Sequence, residues 1–198
     1  MDVKKLWLAV GTVALVAVLV IGLTQAGGGG SGERDSAAPS RAEVDRRLAG
    51  APEPLARLHG QANEILPGGP QAFRERIAAL KGYPVVVNKW ASWCGPCRAE
   101  FPDFQKAALE HGKRVAFIGV DSNDNRGDAK AFLERFPVPY PSYEDPNNTV
   151  AAVFNGVQAF PTTAYYDRDG KLAFLHQGQY LDGEQLEADI QRYALRPR

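Results

Sequence analysis

The chain has 198 residues and no net charge, with 23 basic and 23 acidic side chains, so it lacks the basic surplus that neutralises phosphates and a nucleic-acid partner is excluded. Hydrophobic residues at 44 %, with 10 % aromatic, exclude wholesale disorder. Two cysteines, Cys94 and Cys97, are too few for a disulfide-dense scaffold and near enough in sequence to act as a pair.

Leu6 to Leu23 is an uncharged apolar run. At about 1.5 Å per residue it reaches roughly 27 Å, close to the ~30 Å hydrocarbon core of a bilayer. Lys4 and Lys5 precede it and Thr24 to Gly32 carry no charge, so the positive-inside rule predicts a cytoplasmic Met1 and a remainder outside the cytoplasmic membrane. The alternative is a cleaved signal peptide, but the run exceeds the usual core of about 7 to 15 residues and Thr24-Gln25-Ala26 is a poor cleavage site. The expected organisation is a cytoplasmic tail over 1–5, a single transmembrane helix over 6–24, a flexible linker over 25–53 and a folded domain over 54–198. The linker assignment rests on a stretch rich in Gly, Ala, Ser, Pro and charge; within it Arg41 to Leu48 reads as a transient helix bounded by Pro52 and Pro54.

In the folded part, Leu55, Leu58, Ala62 and Ile65 recur at helical spacing, as do Phe73, Ile77 and Leu80, with Pro67-Gly68-Gly69-Pro70 between the two helices. Pro84 to Trp90 is a β-branched run of strand length, and a Cys-Gly-Pro-Cys turn leads from it into a helix through Glu110. Val115 to Val120 reads as a buried strand, Asp128 to Phe136 as a helix, Tyr140 to Pro146 as a short strand or loop and Thr149 to Phe154 as a helical turn. Thr162 to Tyr166 and Leu172 to His176 flank Asp167-Arg168-Asp169-Gly170, a hairpin signal, and Gly183 to Tyr193 closes as an amphipathic helix. Strands alternating with helices before a terminal hairpin predict an α/β fold with a central mixed sheet flanked by helices.

Trp93-Cys94-Gly95-Pro96-Cys97 stands where the strand ends and the helix begins. Unpaired N–H groups and the positive end of the peptide dipole at a helix N-terminus stabilise a thiolate, which lowers the Cys94 pKa. Pro96 suits the first helical turn, where its missing N–H costs nothing. Cys94 is then the nucleophile and Cys97, one turn deeper, the resolving thiol of a dithiol/disulfide exchange. Three other uses compete. As a structural staple the pair gains little, because closing so short a loop removes only roughly 2 kcal/mol of unfolded-state entropy. A zinc site needs two further ligands, and His59, His111 and His176 show no paired spacing, so no metal is expected. Inert buried cysteines fit poorly with an oxidising compartment.

The string from Val87 to Pro102, Val-Asn-Lys-Trp-Ala-Ser-Trp-Cys-Gly-Pro-Cys-Arg-Ala-Glu-Phe-Pro, resembles the thioredoxin superfamily and within it the TlpA/ResA-like membrane-anchored thiol–disulfide oxidoreductases. Phe160-Pro161-Thr162-Thr163 is similar to that family's cis-proline turn opposite the cysteines, and Pro102 stands where the family has a helix-kinking proline. The resemblance covers roughly Leu55 to Ala194 and implies a thioredoxin-like fold. It also implies substrate contacts at Trp93, Gly95, Pro96, Phe160 and Pro161, with no cofactor beyond the redox-active Cys94–Cys97 disulfide. A cis X-Pro bond would expose the backbone of Phe160 for pairing with a substrate strand.

The activity implied is reduction of protein disulfides, with apocytochrome c among the family's substrates, and a transmembrane electron donor to recycle the outward-facing protein. An oxidase or isomerase of the same fold is the runner-up. A copper-binding assembly chaperone offering His176 is a third reading, disfavoured because those proteins use C-x-x-x-C. The position of a buried Asp in cytoplasmic thioredoxins is held by Asn88, which carries no proton to exchange. Glu100 falls where the family has an acidic residue near the cysteines, and it is either a buried proton shuttle for Cys97 or a solvated helix carboxylate. Lys89 replaces a large apolar residue; strand alternation turns it away from Asn88 and Trp90, and a side chain snorkelling under the N-terminal helices is expected. Trp90 is expected to pack beneath the site and Trp93 to form its exposed apolar rim.

Overall fold

The computed structural model describes residues 39–196. In chain order the elements are α1 (Arg41–Leu48), α2 (Glu53–Gly60), β1 (Ile65–Leu66), α3 (Gly69–Ala79), β2 (Val85–Trp90), α4 (Gly95–His111), β3 (Ala116–Ser122), α5 (Arg126–Arg135), β4 (Ser142–Asp145), α6 (Thr149–Val153), β5 (Thr162–Tyr166), β6 (Leu172–Gln177) and α7 (Gly183–Asp189). A π-helical turn over Ile190–Leu195 follows α7.

The strands form one mixed sheet in the order β1-β4-β3-β2-β5-β6. Neighbours from β1 to β2 run parallel, while β5 pairs antiparallel with both β2 and β6. Period-two alternation divides the core between the two faces of the sheet. Val85 and Val87 join Ala116, Ile118 and Val120 in a cluster with Leu55, Leu58, Phe73, Ile77, Val150 and Phe154, under α2, α3 and α6. Val86, Trp90 and Phe117 join Phe101, Phe104, Phe132, Leu186 and Ile190 on the other face, under α4, α5 and α7. Both central strands are buried along their whole length, as a sheet covered on two faces requires. At the centre of β3 the side chains of the two neighbouring strands close over Gly119, so that a Cβ there would lie 2.9 Å from Ser142 Cβ on β4 and 3.0 Å from Trp90 Nε1 on β2.

Four sequence expectations change. The helix expected from Leu55 to Leu66 stops at Gly60; Asn63 takes a positive φ of 67° and Ile65–Leu66 pairs with Ser142 and Tyr143 as an edge strand. Within the stretch expected as a linker over 25–53, α1 is a packed helix rather than a transient one. Ser40 Oγ caps it by accepting the Glu43 N–H at 3.2 Å, and Val44 and Leu48, one turn apart, are buried. Leu48 covers Gly112 at the end of α4, where its Cδ2 would lie 2.8 Å from an added Cβ. Third, the closing helix is α-helical only to Asp189 and π-helical beyond it. The fourth concerns Lys89 and belongs to the site. The apolar run Leu6 to Leu23 and the tail before it lie outside the described residues, and among those described no helix is long and apolar enough to cross a membrane.

Candidate active site

Cys94 is the N-cap of α4 and Pro96 occupies its first turn. The Cys97 backbone N–H donates to Cys94 Sγ at 3.1 Å, so the helix start already aims a donor at the sulfur that would carry charge. The two cysteines are joined by a disulfide with their Cα atoms 5.3 Å apart. Cys97 is fully buried and Cys94 retains 3 % exposure, which makes Cys94 the sulfur nearer to solvent. The helix start also holds Gly95 and Pro96, both exposed, and Pro102 lies inside α4.

Across from the helix start, the Phe160–Pro161 peptide bond is cis and leads into β5. The Phe160 ring meets Trp93 with centroids 4.8 Å apart, and Trp93 is 55 % exposed. The two aromatic residues therefore form a ledge that joins the cysteine loop to the proline turn. Trp93 is held from its other side by Asn123, whose carbonyl accepts the indole N–H at 2.9 Å. Trp90 is wholly buried, stacked on Phe132 at 5.0 Å, and its indole N–H donates to Ser142 Oγ at 3.1 Å.

Glu100 lies one helical turn beyond Cys97, on the neighbouring stripe of α4. It is buried rather than solvated, so of the two sequence readings the structure supplies the environment of the first. Asn88 Nδ2 donates to its Oε1 at 2.8 Å and the Tyr180 N–H to its Oε2 at 3.3 Å. Burial pushes its carboxyl up to about 8 against the partial relief of these two bonds.

Lys89 does not snorkel. It faces away from Asn88 and Trp90 as alternation requires, but it is fully buried. Its Nζ donates to the carbonyls of Val157 at 3.3 Å and Ala159 at 3.1 Å and sits 3.5 Å from the centroid of the Phe160 ring. Burial lowers its pKa to about 8, opposed by the charge of Asp145. Parity fixed the face of the sheet; the nearby loop carbonyls fixed the direction along it.

Sequence reading missed the loop after β3. Asp124 Oδ2 accepts the Ser92 N–H immediately before the cysteine turn, and Asn123 takes a positive φ of 52°, a conformation Asn tolerates better than most residues. Behind it Asp121 is buried, with its carboxyl pushed up to about 8 by burial first and then by Asp124, Glu144 and Asp145. The only available signal was the polar run Asp121 to Asn125 after an apolar strand. His176, offered as a copper ligand, stacks on Tyr180 at 3.9 Å. The one described group of three metal-capable side chains is Glu110, His111 and Glu187, in which His111 Nε2 already bonds Glu187 at 2.8 Å.

The Redoxin family matches residues 68–190 of this chain. The chain is 42 % identical to the thiol:disulfide interchange protein DsbE of Allochromatium vinosum over 92 residues, 46 % of this chain and 49 % of that one. It is 30 % identical to the protein of the same name from Tatumella citrea over 148 residues, 75 % of each. A solved Chlorobium tepidum chain assigned as DsbE superposes with a TM-score of 0.53 at 33 % identity, over 57 % of this chain and 81 % of that one. The matched region spans about half the length of several curated relatives. With the cysteine pair at a helix start in a thioredoxin-like fold, these likenesses place the chain in the Redoxin family, among the DsbE/ResA-like members of the thioredoxin superfamily.

Proposed function

We propose that this protein is an extracytoplasmic thiol–disulfide oxidoreductase that reduces protein disulfides through Cys94 and Cys97. The observation that carries the reading is the redox pair at the N-terminus of α4, with a donor aimed at Cys94 Sγ beside the Trp93–Phe160 ledge. In the dithiol form the Cys94 thiolate attacks one sulfur of a substrate disulfide; an S–S bond forms between the two proteins and the other substrate sulfur leaves as a thiolate. Cys97 then gives up its proton and attacks Cys94 Sγ. The second substrate sulfur leaves, two electrons have passed to the substrate, and the disulfide seen in this structure remains.

Glu100 is the proton acceptor for Cys97 in this scheme. With its carboxyl near 8, roughly a tenth is ionised at pH 7, and the protonated remainder serves the reverse direction as an acid. Trp93, Gly95, Pro96, Phe160 and Pro161 receive the substrate, whose extended backbone pairs with that of Phe160. No cofactor beyond the Cys94–Cys97 disulfide is required.

The apolar run before the domain serves as a single membrane anchor over 6–24 with the tail over 1–5 inside, and a tether follows it, shortened by α1. A reductase facing an oxidising space needs a transmembrane electron donor, and apocytochrome c is among the substrates this reading accommodates. The direction of electron flow is tested by equilibrating the pair with glutathione. A potential near the roughly −270 mV of thioredoxin supports a reductase, whereas one approaching the roughly −120 mV of a strong oxidant favours an oxidase instead.

A further inference from the structure

We propose that Lys89 is a positioning residue for polypeptide substrates, one that fixes the 157–160 loop and, through Phe160, the aromatic ledge on which an extended disulfide-bearing segment docks. The inference rests on the exchange reading above and adds a determinant of substrate class to it.

Burying an ammonium is costly unless hydrogen bonds compensate it, and a methionine or leucine would fill this site at no such cost. The charge is nevertheless here, fully buried, with the Asp145 carboxylate as a nearby counter-charge, and its hydrogen bonds and ring contact fall on one segment: the carbonyls of Val157 and Ala159 and the face of Phe160. That segment needs holding. From Val157 to Phe160 the chain belongs to no helix or strand, and among the described residues the Thr162 hydroxyl is the one donor to it besides Lys89, at 2.9 Å to the Ala159 carbonyl. A desolvated cation over an aromatic face is attractive as well. Phe160 in turn meets Trp93, which Asn123 holds. Lys89 therefore anchors one end of a row, Lys89 to Phe160 to Trp93 to Asn123, that crosses beside the cysteines without including either of them.

A small disulfide needs only the Cys94 sulfur. A polypeptide needs the ledge and the Phe160 backbone in register too, and misplacing a positioning group by about 1 Å can cost up to roughly a hundredfold in rate. The two substrate classes should therefore separate when Lys89 is replaced.

The test compares Lys89→Met with wild type, both reduced, on insulin as a protein disulfide and on hydroxyethyl disulfide as a small one. The expected result is a fall of about tenfold or more in kcat/KM for insulin, with the small disulfide within about twofold and the glutathione equilibrium unmoved. Equal losses on both substrates, or no loss on insulin, overturn the proposal and make Lys89 a packing residue. Should Lys89→Met not fold, Lys89→Gln, which keeps a hydrogen-bond donor at the position without the charge, carries the same test. Its loss must again be confined to insulin; a loss shared by the small disulfide overturns the proposal. A wild-type protein that reduces neither disulfide overturns the exchange reading itself, and this inference with it, whereas the other outcomes bear on Lys89 alone.

Discussion

Replacing Glu100 by Gln keeps the shape of the side chain and its acceptance of the Asn88 amide proton while removing the group that ionises. The folded carboxyl lies near 8 and the unfolded one near the ordinary value of about 4.3, so the folded state holds this proton more tightly across the interval. An acid raised in this way contributes stability that is full below its unfolded pKa and is lost as pH rises through its folded pKa. One proton sets the slope at no more than about 1.36 kcal/mol per pH unit. Between pH 5 and pH 7 wild type should therefore lose about 2 to 3 kcal/mol that the Glu100→Gln variant keeps. Urea unfolding of the oxidised protein reads this directly, because disulfide-bonded cysteines do not titrate. Asp121, raised for the same reason, is present in both proteins and cancels in the difference. A stability gap that stays flat from pH 5 to pH 7 would refute the buried, proton-holding carboxyl. The same variant should slow the Cys97 step by about 10² to 10⁴ when a mixed disulfide is resolved in a single turnover, the span usual for losing a general base.

Two further predictions concern the scaffold that carries the site. Gly119→Ala drives a methyl group against Ser142 and Trp90 and should destabilise by about 1 to 3 kcal/mol, seen as a lower urea midpoint, with the loss reported by Trp90 fluorescence. Leu48→Ala opens the contact between α1 and the end of α4 and should cost about 2 to 5 kcal/mol; an unchanged midpoint would mean that α1 is the loose tether its composition suggests.

Local signals carried most of the fold. The β-branched run ending in Cys-Gly-Pro-Cys fixed the site at a strand-to-helix junction, and the Asp-Arg-Asp-Gly turn located the hairpin, because in both cases neighbouring residues dictate the geometry. Contacts between distant segments were not legible. Asp124 reaches Ser92 across 32 residues and Lys89 reaches Ala159 across 70, and no periodicity encodes either. Ile65 was misread because its spacing from Leu58 and Ala62 is helical, while the pairing that makes it a strand lies in Ser142. Helix α1 reads from sequence as a transient helix in a Gly-, Ser- and Pro-rich stretch, although two apolar residues one turn apart suffice to dock it.

In the exchange proposed above, Cys94 makes, and Cys97 breaks, a covalent bond to a substrate protein. Cys97→Ser removes the resolving thiol, and its mixed disulfides can be isolated from cells after acid quenching and identified by mass spectrometry. The expected result is partners bonded through Cys94, released by reductant and absent when Cys94 is also Ser. A folded Cys97→Ser protein that accumulates no disulfide-linked partner would contradict it.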